Sequence, residues 1–230
     1  MTSASSPEPP ALPRGVRTFH PRRGRLTAQQ RERVVELLDR YGIPASGPLD
    51  LTALLTGRPA VVEIGFGMGE ATFAMAVDDP RTGVLAVDIH TPGVLRLLTQ
   101  VDRAGLPNLR VAHEDALELL RTRVAAQSLA GIRVFFPDPW PKVRHHKRRL
   151  VQPGVVRLLA ARLRPGGYLH LATDVPEYAA QMISVVEAEP LLHNEYHGFA
   201  PGRCGRPLTR YESQALVQSR SAADVFVRRV

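Results

Sequence analysis

Residues 62–70 read Val-Glu-Ile-Gly-Phe-Gly-Met-Gly-Glu, an apolar run that enters a glycine-rich turn. A helix-like stretch follows around residues 70–79, so the segment predicts a buried strand, a tight turn and a helix. In a parallel α/β sheet such a turn lies at the carboxyl edge of the strands, where ligands bind. Gly65 and Gly67 lack Cβ atoms and would let the backbone approach a ligand closely.

Apolar runs and helix-like runs alternate outward from this turn. We predict strands at residues 60–64, 83–89, 109–113, 132–136 and 168–173, and further helices around residues 93–104, 116–127, 153–164 and 176–188. Near-continuous apolar strands that alternate with helices indicate a parallel sheet with helices on both faces. Residues 191–196 and 223–230 are predicted as two more strands, which could form an antiparallel hairpin at the sheet edge. The expected fold is a Rossmann-like α/β domain with a seven-stranded, mostly parallel sheet.

The N-terminal part of the chain has a different composition. Residues 1–26 are predicted to be a disordered tail, rich in Ser and Pro, that ends in a basic arm with five arginines between Arg14 and Arg25. The arm is either solvated or clamps a phosphate backbone. Thr27 and Gln30 form a capping box, which predicts the start of a short helix. We therefore expect a single domain over residues 27–230.

The charge balance indicates an anionic partner. Lys and Arg number 30 and Asp and Glu number 22, and the resulting net charge of +8 favours nucleic acid. The single Cys204 excludes an internal disulfide, and no metal is expected because no carboxylate or thiol is spaced to join His145 and His146. No apolar run approaches the ~20 residues of a membrane span, and the N-terminus has no secretory signal. We expect a cytoplasmic protein, either a monomer or a homodimer.

Two classes of cofactor compete for the glycine turn. A dinucleotide site would need a third glycine at position 70 or 72, where this chain has Glu70 and Thr72. Glu63 and Glu70 would also repel a pyrophosphate. S-adenosylmethionine has no phosphate and carries a positive sulfonium and an α-amino group, which acidic neighbours suit.

Acidic residues at the ends of the next two predicted strands favour S-adenosylmethionine. Asp88 lies 23 residues past Gly65 and is placed to accept hydrogen bonds from both ribose hydroxyls. Asp115 follows the third strand, where a side chain can reach the adenine edge. The glycine turn and these two acids together predict an S-adenosylmethionine site, with ordinary tight turns as the alternative.

Residues 135–150 read Phe-Phe-Pro-Asp-Pro-Trp-Pro-Lys-Val-Arg-His-His-Lys-Arg-Arg-Leu and form the second informative stretch. Three prolines in five residues end the preceding strand, and they hold Asp138 and the single Trp140 on a stiff turn. Five Lys or Arg residues follow within residues 142–149 and need an anionic partner or bulk water. The stretch predicts a site that handles a base on a polyanion. The alternative is a strand followed by a solvated basic loop.

Six stretches resemble the tRNA (guanine-N7-)-methyltransferases, a family with the class I methyltransferase fold. They lie between residues 61 and 212 and read VEIGFGMGE, VDIHTPGV, EDA, FFPDPWPKVRHHKRR, ATDVPEYA and RPLTRYE. The resemblance implies methylation of N7 of the guanine at position 46, in the variable loop of tRNA, with S-adenosylmethionine as the methyl donor.

The resemblance also implies roles for individual residues. Together with the two glycines of the turn, the acids that it implies give the full set of predicted cofactor contacts: Glu63, Gly65, Gly67, Asp88, Asp115 and Asp138. Of these, Asp138 is also the predicted catalytic residue. The predicted substrate contacts are Lys142, Asp174, Thr209, Arg210, Tyr211 and Glu212. The predicted RNA contacts are Arg144, His145, His146, Lys147, Arg148 and Arg149. Gln214 stands where the family often has a basic residue, which puts RNA affinity in question rather than chemistry.

The chemistry of guanine N7 is compatible with these roles. N7 has an exposed lone pair and no proton to lose, so its methylation needs no general base, and the protein mainly supplies proximity and electrostatics. Asp138 can stabilise the positive charge that moves onto the purine or accept hydrogen bonds from the base. Asp174 is a second acceptor unless it caps a helix. Tyr211 or Trp140 could stack on the base, although Trp140 is equally suited to the core.

Two other functions stay open at this point. An amino-methyltransferase acting on another base or on protein needs an Asp/Asn-Pro-Pro-aromatic loop, and Asp138-Pro139-Trp140 has one proline too few. A non-catalytic RNA-binding protein on a methyltransferase fold would not need the acidic residues around the glycine turn. Calorimetry with S-adenosylmethionine separates this last function from the enzymes.

Overall fold

The computed structural model of the chain describes residues 26–209, 212–213 and 221–230. The arginines predicted to form the N-terminal arm lie outside these residues. So do three residues of the predicted substrate-binding segment and its continuation, namely Arg210, Tyr211 and Gln214.

The strands form a single sheet in the order β3-β2-β1-β4-β5-β7-β6. Their bounds are β1 Ala60–Ile64, β2 Gly83–Val87, β3 Leu109–Ala112, β4 Leu129–Phe135, β5 Leu163–Thr173, β6 Leu192–His193 and β7 Ala223–Arg229. The first five strands pair in parallel, and β7 runs antiparallel to both β5 and β6. The prediction of seven strands, mostly parallel, with an antiparallel pair at one edge, is confirmed.

Helices cover both faces of this sheet. They are α1 Ala28–Tyr41, α2 Leu51–Leu54, α3 Glu70–Asp78, α4 Thr91–Ala104, α5 Ala116–Thr122, α6 Pro153–Arg162 and α7 Pro176–Glu187, with a 3₁₀ helix at Val143–Arg148. Strand β2 shows why two layers form. Leu85 and Val87 pack into a core with α5, α6 and α7, whereas Val84 and Ala86 pack into a second core with α1 and α4. Side chains on a strand alternate between faces, so a strand that is apolar throughout needs helices on both sides.

Polar side chains set several element boundaries. The Thr27 hydroxyl accepts a hydrogen bond from the Gln30 amide at 3.2 Å, and Gln30 Oε1 accepts one from the Thr27 amide at 2.9 Å, which confirms the capping box. Asp50 caps α2 by accepting from the Ala53 amide at 3.0 Å, so a one-turn helix precedes β1 in a segment for which the sequence analysis predicted no helix. A side chain that accepts from the first free amides of a helix stabilises its start.

The strand predicted at residues 191–196 is shorter in the structure. Only Leu192 and His193 pair with β7. The side chain of Asn194 then bonds to the Tyr196 amide at 3.1 Å and to the Gly198 carbonyl at 3.0 Å. An Asn that bonds to the backbone beyond it offers the chain a turn in place of the sheet, which ends the strand here.

No helix among the residues that the structure describes is both long enough and apolar enough to cross a membrane.

Candidate active site

The predicted cofactor and catalytic acids lie on the carboxyl edge of the parallel strands. Asp88 follows β2, Asp115 follows β3, Asp138 follows β4 and Asp174 follows β5. Strands β1 and β4 are neighbours in parallel register, with Ile64 opposite Val134. The glycine turn after β1 and the proline-rich turn after β4 therefore begin side by side.

The glycine turn is fixed to the end of β2. Gly65 and Gly67 have φ angles of 73° and 60°, in the left-handed region that favours glycine. The Gly67 amide donates to Asp88 Oδ2 at 2.8 Å, and the His90 amide donates to Asp88 Oδ1 at 2.8 Å. The carboxylate of Asp88 thus holds the turn in place and is itself oriented by two backbone donors before any ligand arrives.

Helix α4 supports the same turn from behind. A Cβ atom at Gly93 would lie 1.7 Å from the carbonyl oxygen of Gly67, so only glycine allows this close approach. Gly93 was not among the predicted site residues. The sequence gives one signal for it, a glycine within the first turn of a predicted helix, where glycine is otherwise unfavourable.

Glu63, the last polar residue of β1, is a buried acid beside the glycine turn. Its side chain accepts a hydrogen bond from the Thr72 hydroxyl at 2.7 Å through Oε1. No donor among the described residues reaches Oε2, although this oxygen is buried. Burial raises the pKa of Glu63, and the positive charge of Arg133 on the neighbouring strand only partly opposes this. A buried carboxylate oxygen without a partner is suited to a cationic group.

Glu63 should therefore destabilise the unliganded protein as its carboxyl group ionises. The folded chain keeps the proton to a higher pH than the unfolded chain, so stability falls as pH rises from the ordinary glutamate pKa of about 4.3 to the raised folded value. Because glutamine cannot ionise, Glu63→Gln is expected to melt at a higher temperature than the wild type at pH 8, with the difference shrinking towards pH 4. Thermal melts across this range, with the exposed Glu36→Gln as control, measure it. An equal difference at both pH values would contradict the assignment.

Asp115 has a defined structural role. Its Oδ1 atom accepts from the amides of Leu117 and Glu118 at 2.9 and 3.0 Å and caps α5. The neighbouring Glu114 forms an ion pair with Arg123 at 2.9 Å. The cap fixes the direction of the Asp115 carboxylate at the end of β3, where the sequence predicts the adenine contact.

The residues around Asp138, from Phe136 to Pro141, form a rigid loop that we name the Asp138 loop. Phe136 and Trp140 have φ angles of 51° and 43°, which is uncommon for residues with a side chain. The Phe136 amide donates to the carbonyl of Ala172 on β5 at 2.8 Å. Asp138 itself is exposed at the tip. The loop therefore presents a carboxylate to solvent on a backbone that neighbouring strands hold.

Arg149 holds the Asp138 loop from below. Its side chain is 1% exposed, and its guanidinium donates to the Pro139 carbonyl at 2.8 Å and to Gln181 Oε1 at 2.6 Å. It also lies over the ring of Tyr178, 4.9 Å from the centroid. Arg149 was predicted to contact RNA, and the structure instead places it inside the protein as a link between the loop and α7.

The remaining cations of the basic run, residues 142–149, divide into two groups. Lys142, Arg144 and Lys147 are exposed. The guanidinium of Arg148 lies 4.0 Å from the ring centroid of Trp140, and His145 packs edge-on against the same ring at 5.9 Å. Trp140 is 6% exposed, so it belongs to the packing of the loop and is not placed to stack on a base. His146 lies 3.4 Å from Glu177 of α7.

The described part of the predicted substrate segment is a turn closed by its own side chains. The Thr209 hydroxyl accepts from the Glu212 amide at 3.1 Å. Glu212 is 4% exposed, and its carboxylate forms ion pairs with Arg206 and, at 2.9 Å, with Arg203. Burial opposes ionisation, but the hydrogen bonds from Arg206 and Arg203 outweigh it and lower the pKa of Glu212.

Asp174 is half-buried at the end of β5. The residue at the cap of α7 is Val175, and no side chain caps this helix. Asp174 thus follows β5 at the same edge of the sheet as Asp138, and its contact with the substrate stays a prediction.

A metal site is a separate question. Within residues 26–209, 212–213 and 221–230, no group of three or more His, Cys, Asp or Glu side chains is arranged to hold a metal ion.

Comparisons with known proteins agree with this geometry. A family model described as "Putative methyltransferase" matches residues 57–225. The tRNA (guanine-N(7)-)-methyltransferase of Streptomyces avermitilis is 51% identical over 221 residues, which cover 94% of this chain and 76% of that protein. The protein of the same name from Bordetella pertussis is 46% identical over 217 residues, which cover 93% of this chain and 85% of that one.

Solved structures share the fold. The 16S rRNA methyltransferase KamB superposes with a TM-score of 0.56 over 80% of this chain and 96% of its own, at 16% sequence identity. At this identity the likeness concerns the fold alone. The match of the family model and the identity to curated relatives over nearly the whole length place the chain in a family: it belongs to the tRNA (guanine-N(7)-)-methyltransferases.

Proposed function

We propose that this protein transfers the methyl group of S-adenosylmethionine to N7 of a guanine in tRNA, with the guanine at position 46 as the predicted target. The observation that carries the proposal is the pairing of β1 with β4, which sets the glycine turn and the Asp138 loop side by side. A methyl donor in the turn and a base beside Asp138 would then meet at one point of the sheet edge.

The residues present fit S-adenosylmethionine. The unpartnered Oε2 atom of Glu63 is a buried acceptor that a cationic group of the cofactor would satisfy. Two backbone amides orient Asp88 at the end of β2, and its carboxylate would accept hydrogen bonds from the ribose hydroxyls. When bound, the cofactor supplies an electrophilic methyl group on a positive sulfonium. Glu63 and Glu70 on either side of the turn would repel a pyrophosphate, which argues against a dinucleotide there.

The reaction itself requires little acid–base catalysis from the protein. The lone pair of guanine N7 forms the new N–C bond while the S–C bond breaks and its electron pair stays on sulfur, so positive charge moves from the sulfonium to the purine. No proton has to leave N7. A carboxylate held in advance beside the purine, the role that we propose for Asp138, would stabilise this charge without reorganising in the transition state.

The basic run supports RNA as the substrate. Lys142, Arg144 and Lys147 are exposed on the segment that directly follows Asp138. We infer that these three contact the phosphates around the target base, whereas Arg148 and Arg149 stabilise the loop. The substrate contacts predicted for Arg210 and Tyr211 stay predictions.

Charge removal on the exposed cations is expected to change the salt dependence of tRNA binding. Replacing Lys142, Arg144 or Lys147 by glutamine should weaken tRNA binding and reduce the slope of log K against log [salt] by about 0.7–0.9 for each phosphate that is no longer neutralised. Fluorescence anisotropy at several salt concentrations measures the slope. Arg157→Gln removes an equally exposed cation from α6 and should leave the slope unchanged. Unaltered slopes in all three variants would make the run a solvated loop.

We also propose a single catalytic domain over residues 27–230. Strands between residues 60 and 229 share one sheet, which supports this unit. We expect tRNA as the partner, and we propose that the protein is a monomer or a homodimer.

Nucleoside analysis of tRNA tests the proposal. Unmodified tRNA with guanine at position 46 is incubated with the protein and S-adenosylmethionine, digested, and measured by mass spectrometry. The expected product is N7-methylguanosine, absent when position 46 is adenine. A methyl group on an exocyclic amine would indicate an amino-methyltransferase instead. Cofactor binding without any methylated nucleoside would contradict the proposed activity.

A further inference from the structure

Four charged or titratable side chains form a buried cluster beside the Asp138 loop, which we name the Arg206 cluster. Arg206, Asp224, Glu212 and His170 are 4%, 3%, 4% and 2% exposed. Arg206 forms a bidentate ion pair with Asp224, in which Nε and Nη2 donate to the two carboxylate oxygens at 2.7 Å each. His170 Nε2 contacts Asp224 Oδ1 at 2.7 Å.

Arg206 also holds the turn that contains Glu212. Its Nη1 atom donates to Glu212 Oε2, and Arg203 Nε donates to Glu212 Oε1 at 2.9 Å. Both carboxylate oxygens of Glu212 are therefore engaged by arginines inside the protein. A carboxylate in this state is an ionised anchor with little surface left for a ligand.

The same guanidinium touches the base of the Asp138 loop. It lies 5.9 Å from the ring centroid of Phe135 and 5.2 Å from that of Phe136, the residues that lead into the loop. Asp224 pairs with Ala172 on β5, close to the strand end that continues into Asp174. One side chain thus connects β7, the turn after Thr209 and the end of β4.

We propose that Arg206 is a positioning residue for methyl transfer, and that Glu212 serves as the anchor of its turn rather than as a direct contact of the base. Arg206 holds Glu212 on one side and the end of β4 that leads to Asp138 on the other, so that a single guanidinium fixes the position of Glu212 relative to the Asp138 loop. This inference rests on the proposed function, since it takes Asp138 as the group beside the purine.

The energetics favour a positioning role over a purely stabilising one. Buried ion pairs gain little net stability because each charge loses its hydration, and apolar residues of similar volume often serve the fold as well. They do fix the relative position of the two side chains, because a planar guanidinium and a carboxylate form a bidentate pair in one arrangement. Functional side chains need such support to hold their productive placement.

Two variants separate positioning from stability. Arg206→Met leaves Asp224 buried without its main partner and is expected to melt at a lower temperature. Arg206→Met/Asp224→Leu removes the stranded charge, keeps the Arg203–Glu212 pair, and is expected to recover part of the melting temperature. Arg228→Met is the matched control, because Arg228 is an arginine on β7, the strand that carries Asp224, but its side chain is 45% exposed and pairs with Glu195.

The informative readouts are the maximal single-turnover rate, the tRNA concentration that gives half of it, and S-adenosylmethionine affinity by calorimetry. Both Arg206 variants are expected to lose roughly 100-fold in maximal rate, the scale expected when reacting groups are displaced by about 1 Å, while cofactor affinity stays within about twofold. The Arg228 control should react as the wild type does. A double variant with the wild-type maximal rate would overturn the proposal, as would a loss of cofactor affinity that matches the loss of rate.

Failure of the proposed function gives a different result. If the wild-type protein makes no N7-methylguanosine, the proposed function is wrong. Amide hydrogen exchange then tests the positioning role of Arg206 independently of activity. Faster exchange at residues 200–209 in both Arg206 variants than in the wild type and the Arg228 control supports the role. Unchanged exchange in that segment overturns it.

Discussion

Replacing Asp138 by asparagine is expected to lower the rate of methyl transfer by about 10²–10³-fold, the range seen when one preorganised electrostatic group is removed. The amide keeps the shape of the side chain and part of its hydrogen bonding but loses the negative charge that faces the developing positive purine. The backbone should not move, because Pro137 and Pro139 restrict it and Arg149 holds the Pro139 carbonyl. Single-turnover methylation at saturating cofactor and tRNA measures the loss.

The fold should be indifferent to this change. Asp138 is exposed, and no donor in the described part of the chain bonds to its carboxylate. The melting temperature of Asp138→Asn should therefore equal that of the wild type and of the control Asp39→Asn, which alters an exposed acid on α1. If Asp138→Asn and Asp138→Ala both turn over at the wild-type rate, Asp138 only shapes the loop, and the reacting centre must be sought nearer Asp174.

Arg149→Met is expected to destabilise the protein by about 3 kcal/mol, because the half-buried acceptors on Pro139 and Gln181 each lose a hydrogen bond from a charged donor. The Asp138 loop then loses its link to α7, so the methylation rate should fall together with the free energy of unfolding. The salt dependence of tRNA binding should not change, since Arg149 is 1% exposed and cannot reach a phosphate. Urea unfolding and anisotropy titrations on the same preparations measure both effects.

Arg144→Met is the matched control for this variant. Arg144 lies in the same basic run but is exposed, so its replacement should alter the salt slope and leave unfolding unchanged. The opposite pattern, a smaller salt slope of tRNA binding for Arg149→Met and no loss of stability, would show that Arg149 contacts RNA.

The positions of the strands along the chain were predictable because they follow from local patterns. Strand β1 has the predicted bounds, since Pro59 and Gly65 close an apolar run on both sides. The acids at the strand ends were predictable for the same reason, because a parallel sheet brings all its carboxyl ends to one edge. Thr27 and Gln30 marked the start of α1 by a spacing of three residues.

The roles of individual arginines were not predictable in this way. Arg148 and Arg149 are adjacent in a run of cations, and their different environments depend on Trp140 on one side and on Tyr178 and Gln181 on the other. These partners come from different elements of the chain. No local pattern distinguishes a cation that will be buried from one that will face solvent.

The Arg206 cluster shows the same difficulty over a longer range. Arg206 lies in a segment of Gly, Arg and Pro that reads as an ordinary loop, and its partner Asp224 is 18 residues later. Their meeting depends on the antiparallel pairing of β7 with β5, which brings Asp224 opposite Ala172. The sequence predicted both strands, but it did not predict which side chains of the preceding loop would be buried against them.

The place of β7 between β5 and β6 also determines when, during translation, each half of the site can exist. The glycine turn, Asp88 and Asp115 are all synthesised within the first half of the chain, and β1, β2 and β3 are neighbours in the sheet. A nascent chain can therefore assemble its cofactor half early, as domains begin to fold from the N-terminal side on the ribosome.

The other half has to wait. Asp224 is the counter-charge of Arg206 and a hydrogen-bond partner of His170, and it leaves the ribosome tens of residues after His170. Until then β5 has an open edge and Arg206 and His170 have no anchor on β7. A ribosome stalled before residue 223 would thus carry a polypeptide that can bind the methyl donor but has no fixed binding site for the base. The capacity to bind the cofactor therefore precedes the capacity to methylate RNA.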